Sequence, residues 1–392
     1  MTKKKIQLAV VIIFCLCGVA AGIMATVSGI KKSKEEKTVR IAFYGVSEEY
    51  RNILKSFIPD EDKVEVKIDI LSDGAIELST IKDKYDMLFT WKGEVSELLE
   101  ASSTDIPSKI IETMPASLQN KKYAPILLDN CELIYNREVL NKAGQDIPSS
   151  FSGFLNYLNT SKKYVFSPFF CNGADDRILT AYIGSIIEAL GGVSSYNALI
   201  KELKNDTDFE TLLDISLSSA GLTLRSILNP LKDWPNQGYS HPTWYSAQSS
   251  DVLYFAEEGH ASVIFTFLSN HREIPYNIIN KYDSFVIPPS SSSIEFGIIS
   301  PVLIGMLLSD NNNATRYRAE FFTVAAQEEL SKQTKLAPVH SRAQPYDRQA
   351  DDVRYWAASC AAGALPDLYL AAFQRNPKKM KEFAEKIRGY LK

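Results

Sequence analysis

Apolar positions along the chain fall into two alternating rhythms. Residues 39–44 read as a short strand ending at Gly45, and the next stretch sets Tyr50, Ile53, Leu54, Phe57 and Ile58 at the i, i+3, i+4, i+7, i+8 spacing of an amphipathic helix. Residues 64–71 read as a second strand closed by Ser72-Asp73-Gly74, a short helix runs through Ile81, and residues 86–91 read as a third strand. This β-α-β-α-β order predicts an α/β fold with a parallel sheet flanked by helices. Ligands of open α/β sheets sit at the carboxyl ends of the strands, which nominates Tyr44, Ser47, Asp73 and Trp91, with Lys92 beside it. Further strands are expected at 124–129, 132–135 and 296–299, and a helix after Pro148. A long apolar helix is expected over 178–190, stopped by Gly191-Gly192.

The amino terminus follows a different pattern. Lys3-Lys4-Lys5 precedes an uncharged, mainly apolar run over residues 6–30, which ends at a charged stretch over 31–37. Such a segment is an export signal removed by cleavage, a retained membrane anchor, or a site of lipid attachment at Cys17. Each alternative places residues 38–392 in the periplasm or outside the cell, free or tethered by residues 6–30. A chain of 392 residues is long enough for two or three domains at about 150 residues each. Without its first thirty residues it has 40 basic and 47 acidic side chains, a charge of −7, and so lacks the basic balance expected of a nucleic-acid binder. Cys131, Cys171 and Cys360 show no metal-ligand spacing. Buried free thiols are expected there ahead of a single Cys131–Cys171 bridge.

The signatures of activated chemistry are missing: no Gly-x-Ser-x-Gly, no His-Glu-x-x-His, no Walker loop, no Gly-x-Gly-x-x-Gly and no Cys-x-x-Cys. His241, His260, His271 and His340 are scattered, and Asp175-Asp176 after Asn172-Gly173 fits a helix start, where acids favour the dipole. No catalytic residue, metal or cofactor is expected. What stands out is aromatic content, with 19 Phe, 19 Tyr and 4 Trp. Aromatic planes can stack on the C–H faces of sugar rings while polar side chains meet the hydroxyls.

Four segments, in order, resemble family 1 extracellular solute-binding proteins, the maltose-binding-protein-like sugar receptors of ABC importers. They are Pro125 to Asn136 with its continuation to Phe151, Phe255 to Ile264, Phe296 to Met306, and Ala325 to Leu330 with Leu336-Ala337-Pro338-Val339. The similarity spans residues 38–392. The chain departs from the family pattern at Ser150-Phe151, at His260, and at Thr266-Phe267-Leu268, which stands where members carry Gly-x-Trp and stack a sugar.

The resemblance implies a type II periplasmic-binding-protein-like fold of two α/β lobes with an interlobe ligand cleft. Residues 38–129 with 264–304 are expected in the amino lobe, and residues 130–263 with 305–392 in the carboxyl lobe. It implies a sugar-binding carboxylate at Asp129, aromatic stacking at Phe169 and Trp356, with Trp91 and Phe267 near further stacking positions. It also implies a monomeric, non-enzymatic receptor that captures a small solute, expected to be a carbohydrate, and delivers it to ABC permease transmembrane subunits. Two alternatives stay open: an anchored carbohydrate-active enzyme using Asp129, and a ligand-sensing domain.

Overall fold

A computed structural model describes residues 37–60, 63–71, 78–290 and 295–392. The expected signal or anchor over residues 1–30, the linker up to residue 36, and Asp73 lie outside the described residues. Strands β1 (Thr38–Tyr44), β2 (Glu65–Leu71) and β3 (Met87–Trp91) alternate with helices Glu48–Ser56 and Leu78–Lys84, as the hydrophobic rhythm predicts. They are followed by β4 (Ala124–Leu128), β5 (Cys131–Asn136), β6 (Ser167–Cys171), β7 (Ala261–Phe267) and β8 (Tyr282–Phe285). The remaining strands are β9 (Ile298–Ile299), β10 (Val302–Leu307), β11 (Ala337–Pro338) and β12 (Ala364–Leu365).

Among the described residues three sheets result. A six-stranded sheet has the order β11-β4-β10-β3-β1-β2, and a four-stranded sheet the order β6-β7-β5-β8. A short parallel pair joins β9 to β12. In the first sheet β1 pairs in parallel with β2 and β3, while β10 runs antiparallel between β3 and β4. All five residues of β3 and all seven of β7 are buried, which is why both read as continuous apolar runs, whereas β2 is largely exposed at its edge. The long apolar helix extends further than expected, over Asp176–Lys204. It breaks at Gly192, whose φ of 70° is a left-handed conformation open to glycine.

Two hydrophobic cores correspond to two lobes, and here the expected division of the chain needs correction. Strand β7 pairs along its length with β5 and β6, so residues 264–285 belong with the second sheet rather than with the amino lobe. Conversely, helices Asn312–Glu320, Val324–Thr334 and Arg348–Ser359 cover the first sheet, with Phe321 against Phe57 and Phe89. The physical reason is burial: Tyr317, Phe321 and Leu330 fill the first core, whereas Phe265 and Phe267 fill the second. The chain therefore passes from one core to the other at Asp129-Asn130, between Phe285 and Val302, and over residues 361–367. The first crossing stands where it was expected, and the other two lie later in the chain.

The crossings are tied to one another. Asp129 N–H donates to Pro301 O (2.9 Å), Leu268 N–H donates to Asn130 O (2.8 Å), and Ser300 Oγ donates to Asp129 O. The β9–β12 ribbon adds Ile298 N–H to Gly363 O and Ser300 N–H to Leu365 O. Backbone groups that would otherwise be orphaned where the sheets end are thus satisfied inside the hinge itself.

Candidate functional site

The carboxyl ends of β1 and β3 face the second lobe, and the side chains there form an aromatic wall. Tyr44 is buried and donates its hydroxyl to Gln374 O (2.9 Å). Ser47 is exposed and caps helix Glu48–Ser56 by accepting from Tyr50 N–H. Trp91 is 5% exposed and meets Tyr50 edge-on, with ring centroids 6.1 Å apart. Burial, then the charges of Asp129, Glu49 and Glu273, hold the Tyr50 phenol well above its ordinary pKa, so it stays a neutral hydroxyl donor.

The charge of Arg177, at the start of helix Asp176–Lys204, reaches the Tyr50 phenol of this wall. Asp175 caps that helix by accepting from the backbone N–H groups of Arg177 and Ile178, which fixes where the guanidinium emerges. Arg177 donates from Nε and Nη2 to one oxygen of the wholly buried Asp367 (3.1 and 2.7 Å). Its guanidinium also lies over the rings of Phe267 (4.9 Å) and Tyr369 (5.6 Å). Burial opposes the charge on Arg177, but Asp367 and then Asp129 more than offset it and hold the guanidinium above its usual range.

Asp129 is 4% exposed and its oxygens are already engaged. Oδ1 accepts from Asn130 N–H (2.8 Å) and Ser269 N–H (3.0 Å), and Oδ2 accepts from Ser269 Oγ–H (2.7 Å). Burial raises its pKa while these donors pull it back. Its geometry is that of a clamp between the first crossing and the segment after β7.

A third element closes the seam. The π-helical turn Tyr369–Phe373 and the residues just after it reach across to the amino lobe. Gln374, wholly buried, accepts from Val95 N–H (3.0 Å) at Oε1 and donates from Nε2 to Trp91 O (3.2 Å) and Thr90 Oγ1 (3.3 Å). Lys92 Nζ donates to Ala364 O (3.0 Å), and Lys204 pairs with Glu97 across the lobes (2.9 Å).

Two expected stacking residues stand elsewhere. Phe169 is 0% exposed inside the second core, stacked on Tyr182 (4.7 Å) and edge-on to Trp234 and Trp244. A ring closed in on all sides has no face to offer a ligand. Trp356 lies on helix Arg348–Ser359 against Phe285 (5.5 Å), lining a separate cavity. Tyr44, Trp91, Asp129 and Phe267 are brought to the interlobe seam, while Ser47 caps the helix that carries Tyr50. Tyr50, Arg177, Ser269, Asp367, Tyr369 and Gln374 join them without having been anticipated. Of these, Asp367 carried a signal, a lone acid inside the apolar run Ala364-Leu365-Pro366-Asp367-Leu368. Cys131, Cys171 and Cys360 are free and buried.

Two lobes, each with its own sheet, joined by three tied crossings with an aromatic and charged seam between them, define the fold class of bacterial solute-binding receptors. No family model and no curated protein matches the sequence, but solved structures match nearly its whole length. The binding protein msme of Bacillus subtilis subsp. subtilis strain 168, in an open conformation, aligns with a TM-score of 0.71 at 14% identity, covering 91% of this chain and 93% of that one. The bacterial solute receptor AcbH, with an exclusive preference for β-D-galactopyranose, aligns with a TM-score of 0.72 at 12% identity over 90% and 92%. A sugar transporter protein of Bacillus licheniformis, in complex with stachyose, aligns with a TM-score of 0.61 at 12% identity over 90% and 98%.

Proposed function

We propose that this protein is an extracytoplasmic solute-binding receptor that captures a small carbohydrate between its lobes and presents it to the permease of an ABC importer. The observation that carries the reading is the seam itself: Arg177 laid against Phe267 and Tyr369, its charge reaching Tyr50, whose ring meets Trp91. Aromatic faces with a few fixed polar groups are the composition of a sugar site. The neighbours that bind galactopyranose and stachyose support the same ligand class.

The mechanism is closure without a bond-making step. A ligand that touches Trp91 and Tyr50 on one lobe and Arg177 and Phe267 on the other favours the arrangement in which both walls are near, and so shifts the population toward it. Asp129 acts through Ser269, holding the first crossing in register with the segment after β7. Engagement of Asp129 by three donors, and of Asp367 by Arg177, favours binding over acid/base catalysis, because hydrolysis of a glycoside needs two carboxyl groups free to act.

Thermal unfolding of the full chain with galactose, stachyose and other neutral sugars tests this. A ligand bound only by the folded state stabilises by RT ln(1 + [L]/Kd), about 2.7 kcal/mol at a hundredfold excess over Kd. A sugar that raises the midpoint and is recovered unaltered supports the receptor. Glycoside turnover, or no shift with any sugar while the chain stays folded, overturns it.

A further inference from the structure

A second opening lies on the other face of the hinge. Along β5 successive side chains point to opposite faces. Cys131 feels the charges of Asp367 and Arg177, on the side of the seam. Glu132, wholly buried, instead meets His271 (Oε1 to Nδ1, 2.5 Å) and accepts from Gln349 Nε2 (2.9 and 3.0 Å). Beyond Gln349 opens a cavity of about 1000 Å3, at the upper end of the range for small-molecule sites.

Both lobes build its walls. The amino lobe contributes Trp356, Asp352 and Gln349, and the second lobe contributes Phe285, Asp283 and Tyr276. Trp356 stands edge-on to Phe285 at 5.5 Å with planes at 74°, and Tyr276 is 81% exposed. An Arg272–Asp347 pair (2.6 and 2.7 Å) crosses between the lobes at its rim, with the Arg272 guanidinium over the Tyr346 ring. Four Asp or Glu and three Lys or Arg line the cavity, so their charges nearly cancel and no strong field selects an ion. Aromatic rings together with carboxylate, amide and hydroxyl groups suit a neutral, polyhydroxylated ring.

We propose that this hinge-side cavity is a second carbohydrate site, separate from the interlobe seam, in which a pyranose ring stacks on Trp356 or Tyr276 and its hydroxyls meet Asp283, Asp352 and Gln349. The site stands whether or not the seam binds sugar.

Titration calorimetry of the full chain with galactose, maltose and stachyose, up to about 10 mM so that millimolar affinities are seen, separates the two sites. Tryptophan fluorescence of Trp91→Phe and Trp356→Phe variants is followed alongside. The expected result is a sugar phase that Trp356→Ala, Tyr276→Ala or Asp283→Ala weakens at least tenfold, and that Arg177→Met combined with Asp367→Asn, which removes both buried charges together, leaves in place. Tyr276 and Asp283 are exposed, so their variants keep the fold even if Trp356→Ala does not. A Trp356-dependent phase without an Arg177-dependent one supports this site and tells against the seam as the sugar site. Sugar binding that none of the three cavity variants changes, or no sugar signal from Trp356 anywhere in the range, overturns the proposal.

Discussion

Glu188 lies within the long helix of the second lobe, and its carboxylate accepts from Gly297 N–H (2.6 Å) on the segment that leads back to the amino lobe. Burial pushes its pKa up to about 7, and the single backbone donor offsets only part of that rise. A carboxyl group with a raised folded pKa contributes stability below its unfolded value, and this is lost as pH rises through about 7. Glu188→Gln removes that loss. Urea unfolding is expected to show the variant level with the parent near pH 4 and about 3 kcal/mol more stable near pH 8. Arg177 is the converse case, a charge whose partner is wholly buried. Arg177→Met leaves Asp367 unpaired and should cost about 3–5 kcal/mol, and adding Asp367→Asn should recover much of it. A double-mutant cycle in denaturant measures the coupling, and equal losses in the single and double variants would show that the ion pair is not what holds the turn.

Whole elements explain which expectations succeeded. Strands β3 and β4 were legible because a strand buried on both faces leaves a nearly continuous apolar run, β1 and β5 because only one charged residue each, Arg40 and Glu132, interrupts a mainly apolar stretch, and helix Glu48–Ser56 because one stripe of it packs inward. Phe169 illustrates the limit. A strand-end aromatic has the same local signature whether it faces a cleft or a core, and only the arrival of Trp234 and Trp244 from distant segments decides between them. Phe169→Ala is therefore expected to lower stability by about 3–5 kcal/mol, as loss of a core aromatic does, while leaving ligand selectivity unchanged. A change of preferred ligand with stability intact would return Phe169 to the site. Arg177 and Gln374 were illegible for a related reason: their roles depend on Asp367 and Val95, residues 190 and 279 positions away in the chain. The lobe boundaries slipped because β7 and β10 are both short apolar strands, and pairing with β5 or with β3 is settled by register and not by composition.

At the scale of the whole molecule, the segment around the π-helical turn packs against the long helix of the second lobe, yet it rests on Gly93 of the amino lobe. A β-carbon added at Gly93 would stand 2.2 Å from Leu370 O. Backbone at that distance must withdraw, so Gly93→Ala is expected to leave both lobes folded while shifting them apart. Small-angle scattering should report a larger radius of gyration, and apparent affinity for a ligand held between the lobes should fall by the closed fraction lost, roughly 10- to 100-fold. An unchanged radius and affinity would mean that the turn gives way locally instead. That clearance is also a dial for measurement: graded side chains at position 93, from Gly through Ala and Ser to Val, would set successively higher half-saturation points. A pair of dyes on the two lobes would then turn one scaffold into a set of ligand sensors spanning several decades of concentration.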